Sequence, residues 1–376
     1  MKPIASQSAA VAACAALLIV GTTWEASADG TDQPAVSSAA RSKSDGGISV
    51  TGDNNNTAGR DLIIGDNNNA GTGHTITPTP TPTPTPGLGV SVGCSEDALV
   101  AAITAANGSN TNLNLARDCN YTLTAPHGGG QNGLPPITGQ FTINGRGATI
   151  ARSNNAPDFR ILDVEPGGNL VIDDTTISNG HAFRGGGVYN NGGSLTATNV
   201  TISNNTADDF GGGIASSGNG IVSNVQNSFL TNNTAESGGG SAVIGGSTIN
   251  IVSSTIQNNT GTIRGGGVYT EEGSAVVRGS TIQDNRTLQT GGGGIFNNTG
   301  ATTVENSFIR RNTAATEGGG IWNNERVTLQ NSSVTNNIAG TTGGGIYNTG
   351  TVTPQQTTIS NNNPNNCGGN AVPNCV

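Results

Sequence analysis

A run of three glycines recurs through the second half of the chain, its last glycine at 187, 213, 240, 267, 294, 320 and 345, so that successive runs stand 26, 27, 27, 27, 26 and 25 residues apart. A period this regular implies one small unit repeated, each copy burying its apolar positions against its neighbours. A second motif keeps the same phase, an aliphatic residue followed three positions later by Asn: Ile202/Asn205, Leu230/Asn233, Ile256/Asn259, Ile282/Asn285, Ile309/Asn312, Val334/Asn337 and Ile359/Asn362. Ile177 holds that place one period earlier, with Gly180 instead of Asn. With 59 Gly, 10% charged and 3% aromatic residues among 376, the chain lacks the large side chains of an ordinary globular core. A helical solenoid would need stretches of roughly 10 to 15 residues with 3.6 periodicity, and the sequence has none.

Gly and Asn turns divide each period into three short strand-like segments, as in GGGIYNTG, TVTPQQ and TTISNN near the end. One period is then one triangular coil, and eight or so coils at ~4.8 Å make a rod of roughly 40 Å. The predicted fold class is all-β: a single-stranded right-handed parallel β-helix, three short strands per coil of about 26 residues, with a short N-terminal capping helix. The residue after each glycine run (Val188, Ile214, Ser241, Val268, Ile295, Ile321, Ile346) should face inward as a stacked row. The next one (Tyr189, Ala215, Ala242, Tyr269, Phe296, Trp322, Tyr347) should face outward. The repeated Asn should sit at a coil corner, bonding its counterparts above and below and taking left-handed backbone.

Residues 1–28 read as a signal peptide, with Lys2, an apolar run from Val11 to Val20, and Ala26-Ser27-Ala28 as a cleavage site. The expected product is secreted, with no later stretch apolar enough to span a bilayer. Residues 29–76 form a low-complexity Gly/Asn-rich leader containing a 13-residue repeat, Gly52-Asp53-Asn54-Asn55-Asn56 and Gly65-Asp66-Asn67-Asn68-Asn69. No cofactor is expected; Ca²⁺ is the one ion left open, through these Asp and Asn side chains, against their simpler use in turns. Residues 77–86 alternate Thr and Pro, an extended linker that resembles those joining modules of secreted bacterial carbohydrate-active proteins. Residues 87–150 hold the N-terminal cap and first coils, where SEDALVAAITAAN (95–107) reads as an amphipathic helix stopped by Gly108, and 151–376 hold the repeats. Without Cys14, four cysteines remain, close in sequence at each end of the array, which predicts disulfides Cys94–Cys119 and Cys367–Cys375. The net charge of -9 argues against nucleic acid as a partner, and a monomer is expected.

The GGGIxN and IxxN motifs resemble the GGA[IVL] and FxxN repeats of chlamydial polymorphic outer-membrane proteins. The segment NGLPPITGQFTINGRGATIARS and the closing NNNPNNC are similar to the first and last coils of bacterial proteins in the pectin-lyase-like superfamily. Together these features cover residues 94–376. The resemblance implies fold and an extracellular setting; the superfamily includes polysaccharide lyases and hydrolases beside members without known activity, and fold does not fix function.

Two sets of residues are candidates for a site. The turn carrying His181, Arg184, Asp208, Asp209, Glu236 and Arg264 gathers acids, a His and cations, the ingredients of acid/base cleavage of a glycoside or uronide. Tentative catalytic residues are His181, Asp208 and Asp209, although the galacturonan-hydrolase motifs are absent, and a solvated charge cluster explains the same residues. Tyr269, Phe296, Trp322 and Tyr347 fall on four consecutive coils and are expected to form a continuous exposed stripe for sugar rings. The leading expectation is a non-catalytic β-helix binding glycans or surface components along this face. The alternatives are a polysaccharide lyase or glycoside hydrolase, and a structural spacer.

Overall fold

The computed structural model describes residues 89–127 and 130–375. The signal peptide, leader, 13-residue repeat and Thr-Pro linker expected from the sequence all lie outside these residues. Helix α1 spans Glu96–Ser109; the Ser95 hydroxyl accepts from the Ala98 N–H (3.2 Å), and Glu96 and Asp97 occupy the first turn. Leu99, Ile103 and Ala106 are buried over the first coils. The helix runs past the expected stop at Gly108. Asn110 ends it instead, in left-handed backbone (φ 54°) with its N–H on the Ala106 carbonyl, a conformation Asn adopts at low cost. Cys94–Cys119 ties this cap to the first coil, and Cys367–Cys375 closes the other end over buried Val372.

Behind the cap the chain winds through about ten coils of roughly 26 residues. Each coil passes through three parallel sheets. A typical coil contributes Val268–Glu271 to a nine-stranded sheet, Ser274–Arg278 and Thr281–Gln283 to the two halves of a 19-stranded sheet, and Arg286–Thr287 to a seven-stranded sheet. Equivalent residues pair coil to coil, Val268 with Ile295 and Ile282 with Ile309, so the sequence period becomes a hydrogen-bond register. The inward row is as expected, with Val188, Ile214, Ser241, Val268, Ile295, Ile321 and Ile346 at most 1% exposed.

Ser241 is the odd member of that row. It lies between Ile214 and Val268, fully buried, with a hydroxyl that meets no hydrogen-bond partner among the described residues. A buried unpaired hydroxyl costs free energy that an aliphatic side chain does not. Ser241→Val should therefore raise stability by about 1 kcal/mol, read as a higher midpoint in urea; a lower midpoint would show that the row has no room for the added methyl groups.

The glycine runs mark where coils approach most closely. In one run Gly265 takes φ 58°, and a Cβ on Gly266 would lie 2.4 Å from the Gly293 carbonyl oxygen of the next coil. The Asn corner is built as expected in its hydrogen bonds. Asn205, Asn233, Asn259, Asn285, Asn312, Asn337 and Asn362 are buried, and each side-chain amide donates to the next side-chain carbonyl at 3.0–3.1 Å from Asn205 to Asn362. The backbone expectation was off by one residue. Positive φ belongs to the preceding position, Asn204, Asn232, Asn258, Asp284, Arg311, Asn336 and Asn361. The turn is made there, and the ladder Asn behind it points its amide inward. Asp174, Asn199, Asn227, Asn306 and Asn331 share another left-handed corner, so Asp174 is a turn residue.

Candidate functional site

Outside the nine-stranded sheet, one register row reads Asp163, Tyr189, Ala215, Ala242, Tyr269, Phe296, Trp322, Tyr347, Gly368. The four predicted aromatics do form a column. Ring centroids are 5.8 Å apart for Tyr269 and Phe296, 4.1 Å for Phe296 and Trp322, and 6.3 Å for Trp322 and Tyr347. Interplanar angles of 31°, 9° and 28° mean the rings face one another along the rod and turn their edges outward.

The stripe is not continuously exposed, which corrects the sequence expectation. Tyr269 is fully buried and Phe296 is 4% exposed, while Trp322 and Tyr347 are half-buried. Residues just ahead of the glycine runs provide the cover. Phe210 stacks on Tyr269 at 5.5 Å, in the space that Ala215 and Ala242 leave open, and the Arg264 guanidinium lies 6.0 Å from the Phe296 centroid. Burial pushes the Tyr269 hydroxyl up to about 12, with the Glu271 carboxylate adding to the shift. Phe210 was missed from sequence because it reaches the column from a turn instead of from the row itself. Its only signal was the place before Gly211, which Arg184 and Arg264 hold in other coils.

The charged turn separates into pairs. His181 Nε2 is 3.0 Å from Asp208 Oδ1, and its Nδ1 is 3.0 Å from Asp158 Oδ1. Arg184 Nε donates to Asp209 Oδ2 at 2.8 Å and its guanidinium lies over the Phe183 and Phe210 rings. Asp208 and Asp209 therefore meet different partners, His181 and Arg184. Glu236 and Arg264 make no ion pair among the described residues. Asp158 was missed because it lies in the loop before the regular repeat and has no counterpart in phase.

Beneath this turn Arg160 donates from Nη1 to Asn132 Oδ1 (2.6 Å) and Asp163 Oδ2 (3.1 Å), and from Nε to the Arg184 carbonyl (3.2 Å). Its guanidinium also lies 5.0 Å from the Tyr189 ring centre. Burial pushes the Asp163 carboxyl up, against the pull of Arg160, and lowers the Arg160 guanidinium. The arrangement fastens the first coils together. Among the described residues no group of three or more His, Cys, Asp or Glu is placed to hold a metal ion, and no helix is long and apolar enough to cross a membrane.

Residues 142–309 match the family model described as right handed beta helix region. The match agrees with the in-register parallel sheets, and the fold of the described residues is a right-handed parallel β-helix. Comparison with curated proteins returns no match.

Proposed function

We propose that this is a non-catalytic secreted or cell-surface β-helix that binds glycans at the C-terminal end of the aromatic column. The observation that carries this reading is the change in burial along the column: Tyr269 and Phe296 are sealed, whereas Trp322 and Tyr347 reach solvent. A Trp edge offers an N–H donor and a Tyr edge a hydroxyl, both suited to sugar hydroxyls. Tyr347 has Gly368 as its next register neighbour, so no further side chain of the row continues the stack beyond it. A pyranose face would extend the stack there. The engagement of Asp208 by His181 and of Asp209 by Arg184 favours binding over cleavage. The two disulfides fit an oxidising compartment.

Trp24 and Trp322 are the only tryptophans, and Trp24 lies in the segment expected to be removed. Trp322 fluorescence therefore reports directly on the site. Titration with a recognised polysaccharide should shift the emission, and Trp322→Ala and Tyr347→Ala should each weaken binding by roughly tenfold, about 1.4 kcal/mol. Asp208→Ala should leave binding unchanged. Binding indifferent to both aromatic substitutions would place the ligand elsewhere and remove the basis of the proposal.

A further inference from the structure

Among the described residues the 19-stranded sheet ends at the last coil on strands Thr351–Gln355 and Thr358–Ser360, which pair backwards with Arg326–Gln330 and Ser333–Thr335. Such an edge presents unpaired N–H and C=O groups to any strand of suitable length. Which residues point out of it follows from the ladder. Asn306 donates forward to the Gln330 carbonyl (2.9 Å) and Asn331 forward to the Gln355 carbonyl (3.0 Å). Thr351 instead donates backward to Glu325 (2.7 Å). Because direction alternates along a strand, Val304 and Leu329 also face forward, and in the last coil the forward-facing residues are Val352, Pro354 and Gln356.

Pro354 is thus the terminal member of a row that elsewhere reads Val277, Val304, Leu329, each aliphatic and fully buried. In the two preceding coils this position faces forward and supplies an N–H to the following coil. Proline keeps the apolar bulk, has no N–H, and places its ring where an incoming strand would approach. A strand that met this edge would lose the central donor and meet the ring.

We propose that Pro354 is an edge-blocking residue that keeps the edge strand Thr351–Gln355, beside the cover formed by Val372 and the Cys367–Cys375 disulfide, from pairing with the same edge of a second copy of this chain. The partner it excludes is set by the geometry. Two C-terminal ends meeting about a two-fold axis would join their long sheets as antiparallel neighbours, and the self-complementary edge of a second copy is always available at matching length. The opposite end of the rod is covered by α1, so the unblocked edge would give closed pairs instead of long fibres.

The test compares the full chain with Pro354→Val, which restores the donor and continues the aliphatic row, and with Pro354→Ala, which restores the donor alone. Mass is read by light scattering during size exclusion over a range of concentrations, with circular dichroism confirming equal strand content. Both variants should approach twice the mass of the unsubstituted protein as concentration rises. Equal masses for all three folded proteins would overturn the proposal, and so would association of the unsubstituted protein as strong as that of the variants.

Discussion

Asn285→Ala should destabilise the protein by about 3 to 5 kcal/mol, a large loss for a single polar side chain. Asn285 is 1% exposed. Its amide donates to the Asn312 side-chain carbonyl and the Ile256 backbone carbonyl, both at 3.0 Å, and its own side-chain carbonyl accepts from the Asn259 backbone (2.9 Å) and side chain (3.0 Å). Alanine leaves these partners buried without their bonds and interrupts a ladder whose members polarise one another. Gln283→Ala removes more exposed side-chain contacts, Gln283 Nε2 to Gln257 Oε1 and Arg310 Nε and Arg311 Nη2 to Gln283 Oε1, each at 3.1 Å, and serves as the control. It should cost no more than about 1 kcal/mol. Urea unfolding of the two variants measures the difference, and similar midpoints would show that the buried ladder is dispensable.

Gly266→Ala should have a still larger effect, exceeding about 4 kcal/mol or preventing accumulation of folded protein. The added Cβ would stand 2.4 Å from the Gly293 oxygen, 2.5 Å from the Arg286 oxygen and 2.6 Å from the Arg286 nitrogen. All three are backbone atoms fixed by coil pairing, so no side chain can swing aside; two coils must separate. Gly108→Ala is the contrasting change. It lies in α1, where a Cβ meets nothing within 4 Å, and it should stabilise by about 0.5 to 1 kcal/mol through helix propensity. Thermal melts of both variants decide the point, because equal behaviour would mean that the glycine runs are not held by steric contact.

The sequence was most informative where a residue's role repeats in every coil. The glycine runs, the inward aliphatic row and the Asn ladder all follow one period, and a register error of one residue would have turned the row outward. The Cys pairs were legible because each lies at one end of the array. What escaped has physical causes. Two consecutive polar residues form each Asn corner, and spacing alone does not tell which one turns the backbone and which one points inward. The aromatic column was found, but its cover was not, since Phe210 reaches Tyr269 across two intervening alanine positions. Asp158 lies outside the repeat, so periodicity gave no reason to place it beside His181. Asp163, with its carboxyl buried against Arg160, shares the register row of Tyr189 but precedes the first glycine run, so the repeat did not mark it.

The central functional claim, binding without cleavage, is tested most directly by incubating the protein with a panel of plant, microbial and host polysaccharides, with and without Ca²⁺, and measuring retention and product release together. The account predicts retention of at least one glycan that depends on Trp322 and Tyr347, with polymer length unchanged. Shortened chains or new unsaturated ends that disappear in Asp208→Ala would contradict it and move the site to the His181 turn.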